Sequence, residues 1–502
     1  MDRRSFVKSF ASFMAASALP ATLRAQSHLG DQAAFMAALE QKPWLLGYLG
    51  AREIEMHANL RITSGRVPEG LRGSLYRNGP AMHDIGQDRF MHWFDAPGMV
   101  QRFAFADGQI KHHGKMIETA RNFAELKAKR IQFVGFGSHG HDLTSGGSAD
   151  NTNTANISLL NHAGELLALW EGGSAHVINP ESLETEGRKV WSSETDGLPF
   201  GAHPRVDTDG SVWNVGYSVT PGALIIYHIS AQGKLLQTHV LPQTATPMIH
   251  DFMITKSKII LVLPPFAASD LRGESFVGLF EWSKDSPTQV LVIDKSDLSN
   301  VRQVELDPFW VFHFGNAYDM SDTELGFDFA LHDDPSFMTK DAFEAMDGSW
   351  DGAGSSASHY VQARVDLNSK TVTLDKASEL GQVEFIQTDA RENLSAHKYA
   401  LMLAQPGGVS AFGFDRLTLV DRETGKASFY DVGETEILEE HLIVPKPKSR
   451  DDFWILGTAL DWQKGVTTLS VYEGLHLGDG PIMKAELDIA LPLGLHGTFV
   501  AA

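Results

Sequence analysis

Four histidines sit where a solvated imidazole has little reason to be. The stretches "FGAHPRVD", "MIHDF", "FHFGNAYD" and "LGLHGTF" set His203, His250, His313 and His496 among apolar residues, glycine and proline. An imidazole in such company either hydrogen-bonds within a core or ligates a metal. The chain has no cysteine, which excludes disulfides, iron–sulfur clusters, thiolate zinc sites and cysteine nucleophiles, so any metal must be held by His, Asp or Glu. About 47, 63 and 183 residues separate the four. There is neither a His-Glu-x-x-His helix nor an EF-hand loop to mark a local metal motif. Spacing by itself therefore leaves these four among the chain's 21 histidines, most of which serve as surface or hydrogen-bonding residues.

A fold that gathers distant strands onto one axis can unite residues so far apart. From about residue 60 the chain reads as short β-branched and aromatic runs, such as "GSVWNVGYSV", "ALIIYHIS", "KIILVLPP", "HYVQARVDL" and "DFWILGTALDW". Turns such as "DTDG", "AQGK", "LNSK" and "RETGK" separate them. Strand pairs recur to the C-terminus without regular intervening helices, which favours a β-propeller of divergent blades over a sandwich or a doubly wound sheet. Residues from about 27 to 60 read as helical with a break at Pro43, and "TARNFAELKAKRIQF" and "PSFMTKDAFEAMDGSW" read as helices able to cover one face. No proline- or glycine-rich linker divides residues 27–502, which are read as one domain.

The bulk composition narrows the function. A formal net charge of −21 over 502 residues argues against a nucleic-acid partner, because a phosphate backbone is held by concentrated Lys and Arg. The 29 phenylalanines and 10 tryptophans are enough to line a ligand cavity as well as fill a core. Beyond the N-terminus no run of about 18 apolar residues predicts a membrane span. Residues 1–26 carry Arg3 and Arg4, then Phe6 and Lys8, a weakly apolar Ala/Ser/Phe run and small residues near Ala25. This order reads as a twin-arginine export signal and predicts a periplasmic location.

"GSLYRNGP", "FMHWFDAPGMVQRFAF", "NTNTANISLLNHAGELLALWEGG", "GAHPRVD", "MIHDFMIT", "FHFGNAYD", "HLIVPKP" and "LPLGLHGTF" follow one another from about residue 60 to the end. As an ordered set they resemble the carotenoid cleavage oxygenase family. The resemblance implies an all-β, seven-bladed propeller with a helical dome over the face that bears one iron(II) ion per chain. It implies His203, His250, His313 and His496 as the ligands through which catalysis runs, with Glu171, Glu384 and Glu440 accepting the imidazoles' second N–H. Ligating imidazoles need such acceptors on general grounds too. Four imidazoles on an octahedral ion leave two positions for O₂ and water. Zinc is the rival metal, but a fourth histidine would close a tetrahedral site and make it structural.

The implied reaction is cleavage of one C=C bond of an apolar polyene by O₂ into two carbonyl products. Relatives divide between carotenoid or apocarotenoid substrates and phenolic stilbenes. Stilbene cleavers carry a lysine before the first glutamate and a tyrosine in the dome segment. Here Trp170 precedes Glu171 and "HHGKMIETARNFAE" has no tyrosine. A buried phenolate would lack its counter-charge, so an apocarotenoid or carotenoid is favoured, with Trp170 and Phe314 as substrate contacts. Two departures from the family pattern stand out. "FDAPGM" places Pro97 in a turn, where φ is fixed and a donor is lost, and Glu439-Glu440-His441 replaces the usual Gly-Glu-Pro. The dome stretch with Lys127, Lys129, Arg130, Phe133 and Phe136 has a composition compatible with peripheral membrane contact as well as with a solvated helix face. A polyene isomerase with the same iron site, or a binding propeller without chemistry, stays open. The oligomeric state is not legible.

Overall fold

The computed structural model describes residues 28–142, 149–269, 275–352, 356–406, 412–447 and 449–502. The export signal expected in residues 1–26 lies outside the described residues. The fold is a seven-bladed β-propeller built from seven four- or five-stranded antiparallel sheets.

The blades are numbered I to VII in chain order. Blade I runs outward from His496–Ala501 through Gly73–Pro80, Gly98–Ala106 and Gln109–Met116 to Glu55–Met56. Blade II has Ser158–His162, Glu165–Leu169, His176–Ile178 and Thr185–Arg188. Blades III to VI start at the axis with Arg205–Val206, Met253–Ile254, Trp310–Asp319 and Gln382–Thr388. Blade VII begins with Glu436–Pro445, continues through Phe453–Asp461, Val466–Glu473 and Pro481–Leu487, and ends on Leu60–Gly65. Thus a C-terminal strand forms the inside of blade I and an N-terminal strand forms the outside of blade VII. Both seams are hydrogen-bonded, Asn78 pairing His496 and Leu60 pairing Leu487. Each sheet edge at the join is thereby covered rather than left free.

Burial follows strand position. Lys258–Leu263 of blade IV, "KIILVL", is buried almost throughout, whereas its outermost neighbour Asp297–Leu306 is largely exposed. Between blades IV and V, Ile260 and Val262 pack with Phe327 and Phe329. The hairpins close where the sequence predicts. Gly210 in "DTDG" and Gly425 in "RETGK" take φ of +80° and +70°, a region costly for residues with a Cβ.

Helices cluster on one face. Asp31 caps Gln32–Gln41 by accepting from the backbone N–H groups of Ala33 and Ala34. The helical reading of residues 27 to 60 holds only to Tyr48: Pro43–Tyr48 is a 3-10 turn, and Gly50 at φ +84° reverses the chain. Glu55–Met56 and Leu60–Gly65 are strands because open edges of blades I and VII take up their backbone groups. The other two helices form as expected. Ala120–Ala128 is capped by Thr119, and a π turn Phe337–Asp341 leads into Ala342–Asp347. Phe35, Tyr48, Ala342 and Met346 pack in one cluster with Leu493 and Leu495, next to His496. In the dome stretch Lys127, Lys129 and Arg130 are exposed, but Phe133 is buried and Phe136 packs inward on Phe94 and Phe276. The turn with Pro97 is accommodated, its carbonyl accepting from the Ala81 N–H at 2.9 Å.

Candidate metal centre

Backbone irregularities aim the site residues at the axis. The inner strands of blades V, VI and VII each break register where a site residue sits, between Val311 and Phe314, Glu384 and Gln387, and Leu438 and His441. Such bulges re-aim a side chain that strict alternation would point elsewhere. His203 and His250 lie just ahead of the short inner strands of blades III and IV, and His496 opens the inner strand of blade I.

A clamp holds three of the histidine loops in register. The Arg205 guanidinium, two residues beyond His203, donates to the Phe252 carbonyl at 2.7 Å, to Asp251, and to the carbonyls of Phe314 and Gly315 at 3.3 Å. Asp251 also accepts from the Phe314 N–H at 3.0 Å. One arginine thus ties the segments carrying His203, His250 and His313.

The four imidazoles converge. The Nε2 of His250 stands 3.0 Å from that of His203 and 3.2 Å from that of His313. One ligand nitrogen from each of the four lies within 4.8 Å of the others. An ion with metal–nitrogen bonds of about 2.1 Å has neighbouring ligands about 3.0 Å apart when the bonds meet at right angles. The short pairs match that separation, so the donor set fits a single ion with room for further ligands.

The three glutamates point at the back of this cluster. Glu171, following the strand Glu165–Leu169 of blade II, accepts from His250 Nδ1. Glu384 of blade VI lies 2.5 Å from His313 Nδ1, and Glu440 of blade VII lies 2.8 Å from His496 Nδ1. All seven blades therefore send one side chain to the centre, four imidazoles and three carboxylates. Among the described residues no carboxylate backs His203.

The Glu439-Glu440-His441 departure resolves at the bulge. Glu440 faces His496 and the Gly497 N–H, while Glu439 turns to the buried Arg77 and to Thr458. The His441 ring lies over Gly457, where a Cβ would stand 2.4 Å from it. Each carboxylate also has a further partner that sequence reading did not single out. Tyr217 donates to Glu171 at 3.2 Å, the Gln387 amide to Glu440 at 2.9 Å, and His332 Nε2 lies 2.6 Å from Glu384.

The electrostatics suit a divalent cation. Burial and then the three neighbouring imidazoles push His203 well below its ordinary value. Burial lowers His313 too, against the pull of Glu384. In His250 burial acts downward but Glu171 outweighs it, and the group ends above its ordinary value. Burial would raise Glu384 and Glu440, yet His313 and His332 for the first and His496 for the second hold them below the usual carboxylate range. Metal binding requires neutral imidazoles, and the buried carboxylates offset the ion's charge.

One cavity, about 1200 Å³ counted to its open mouth, reaches His250, His313 and His496. Its walls are aromatic. Phe312 and Phe385 flank the histidines, with Phe385 stacked on the His313 ring at 5.2 Å, and Trp93, Phe337, Trp350 and Phe412 come from the dome side. Neither expected substrate contact is among the wall residues. Phe314 lies beyond the bulge that separates it from Phe312 and packs on Phe329 at 5.8 Å between blades IV and V. Trp170 packs on the core shared by blades II and III, beside Phe200. No lysine or arginine among the described residues lines the cavity.

Residues 50–501 match the family model described as retinal pigment epithelial membrane protein. The chain is 25% identical over 492 residues to isoeugenol monooxygenase of Pseudomonas nitroreducens, covering 93% of this chain and 99% of that one. It is 25% identical over 480 residues to apocarotenoid-15,15'-oxygenase of Synechocystis, covering 91% and 96%. A solved structure of cobalt-substituted Synechocystis ACO shares the fold with a TM-score of 0.81 at 24% identity, covering 92% of this chain and 98% of that one.

Proposed function

The chain belongs to the carotenoid cleavage oxygenase family, and from that membership we propose that it is an iron(II)-dependent oxygenase that splits a C=C bond of a carotenoid or apocarotenoid. One alkene and one O₂ give two carbonyl products, so atoms and electrons balance without an external reductant. The observation that carries this reading is the convergence of four imidazoles, three of them on the wall of an aromatic cavity.

Ferrous ion held by His203, His250, His313 and His496, one per chain, would supply O₂ binding and activation. The protein's own residues do the rest. Glu171, Glu384 and Glu440 keep the Nδ1 protons of their histidines in place and so keep each Nε2 lone pair on the axis. Phe312 and Phe385 give the alkene flat apolar neighbours, and the aromatic walls exclude water and hold one double bond beside the histidines.

Purified protein loaded with Fe²⁺ should cleave an apocarotenal aerobically, with label from isotopic O₂ in both carbonyls. It should do nothing without O₂ or after loading with zinc. Cleavage in the absence of O₂ refutes the reading, and products of unchanged mass would mark an isomerase. A phenolic alkene is the second reading, favoured by the relative named isoeugenol monooxygenase. It is opposed by the absence of a cationic side chain on the described cavity wall. Turnover of an apocarotenal against a hydroxystilbene decides between them. Export is proposed as well: replacing Arg3 and Arg4 by lysine should leave the protein in the cytoplasm, and secretion unaffected by that change would refute the signal.

A further inference from the structure

The partners standing behind the three carboxylates are not alike. Tyr217 and Gln387 are absent from the cavity wall, but His332, the partner of Glu384, is part of it. Its side chain is only 6% exposed. Glu384 uses Oε2 for His313 Nδ1 and for the Phe385 backbone N–H, and its Oε1 stands 2.6 Å from His332 Nε2. A carboxylate used in this way accepts at both oxygens, so His332 carries its proton on Nε2 and leaves a lone pair on Nδ1. No donor among the described residues reaches that nitrogen. Phe312 meets the ring edge-on at 5.3 Å. Ser358, opposite His332 in the ladder, has its hydroxyl bonded to both the N–H and the carbonyl of Val383.

His332 lines the cavity, so this acceptor is left to be met by what the cavity holds. We propose that His332 Nδ1 accepts a hydrogen bond from a hydroxyl on the substrate, so that the alkene taken by this site is a hydroxylated one. The proposal deepens the cleavage reading and rests on it for what the cavity holds. Gln382, two residues before Glu384, is a further polar side chain on the wall. A neutral hydroxyl suits a wall without lysine or arginine, where a carboxylate or phenolate end would find no counter-charge. The hydroxyl has two sources, the ring of a terpenoid end group or a phenol, and the two pairs of probes below separate them.

Binding is read without O₂, from quenching of tryptophan fluorescence in the full chain. The probes are a ring-hydroxylated apocarotenal with its deoxy parent and para-hydroxystilbene with its methyl ether. In at least one pair the hydroxylated member should bind about tenfold more tightly to the wild type, the effect of one good hydrogen bond. In His332→Leu that preference should fall below about twofold. The pair that shows the preference identifies the source of the hydroxyl. No preference in the wild type, or one that survives His332→Leu, overturns the proposal.

Should the leucine variant fail to fold, wild-type protein labelled with nitrogen-15 at histidine serves instead. One unprotonated Nδ1 resonance should move with the hydroxylated probe and stay with its partner, and an unmoved spectrum overturns the proposal. Because binding is read apart from turnover, a protein that shows the preference but cleaves nothing refutes the oxygenase reading alone. Cleavage of both members at equal affinity refutes this one alone.

Discussion

Blades V and VI hold two buried carboxylate–imidazole sites that share their chemistry and differ in what the imidazoles face. At the axis Glu384 holds His313, whose other nitrogen points at three more imidazoles. Away from it Asp328 contacts His397 Nε2 at 3.2 Å, accepts from the Tyr360 hydroxyl at 2.8 Å and accepts from the Asn316 N–H at 2.9 Å. The remaining nitrogen of His397 takes hydrogen bonds from Arg422 and Asn316 at 3.1 and 3.3 Å. Every nitrogen of His397 is satisfied by the protein. At the centre His250, His313 and His496 have Nδ1 on a carboxylate, and the ligand nitrogens of all four imidazoles crowd one another instead. A histidine beside a buried carboxylate is thus a fold pin when its second nitrogen has a protein donor; without one that nitrogen is open to a ligand, an ion where four imidazoles converge or the contents of the cavity at His332.

The sharpest way to break this contrast is His250→Ala. Metal content and cleavage should collapse, cleavage by at least about a thousandfold, which corresponds to the several kcal/mol a metal ion supplies. The melting temperature of the metal-free protein should stay within a few degrees of wild type. Metal analysis and calorimetry on one preparation check both halves. A variant that unfolds yet keeps its metal would reverse the two roles.

Asp328→Asn should do the opposite, leaving metal per chain unchanged and lowering stability. Burial raises the Asp328 carboxyl, but His397 and then Arg422 outweigh it and bring it down to about 2. A carboxylate held below its unfolded value of 3.8 stabilises the fold above that pH, and the contribution is lost as pH falls towards 2. The stability gap between wild type and Asp328→Asn should therefore include about 2 kcal/mol that disappears between roughly pH 4 and pH 2. Denaturant titrations across that range measure it, and a gap independent of pH would remove the carboxylate from the account.

The smallest of the three effects is expected from Glu384→Gln. An amide can still meet His313 but brings no charge, and metal affinity should fall about 10- to 100-fold with the fold intact. Chelator competition reads this directly. An unchanged affinity would mean that His313 is aimed by its bulge alone.

How much of this was legible beforehand depends on whether a residue's role is local or arises only on folding. The strands, the dome helices and the seven-bladed class could be read because alternation, turn residues and an ordered set of motifs are carried along the chain. The histidine stretches stood out because glycine and proline flank them. Phe314, expected at the substrate, lies past a bulge that the sequence does not announce, and Phe312 stands on the wall. Trp170 is expected at the substrate from the family pattern, and its ring packs on the core between blades II and III. The Arg205 clamp left a usable trace, since charged residues follow directly on "AHP" and "MIH". His332 left none, being 52 residues from the carboxylate it meets.

The way the propeller is joined also sets a timetable. Of the four converging imidazoles, three lie in the first two thirds of the chain, and His496 emerges long afterwards on the strand that seals blade I against Gly73–Pro80. A nascent chain can therefore offer an ion only three of its four ligands until ring closure. Loading of the proposed ion would then report on completed assembly, and a protein truncated before this last strand would lack one of the four converging imidazoles.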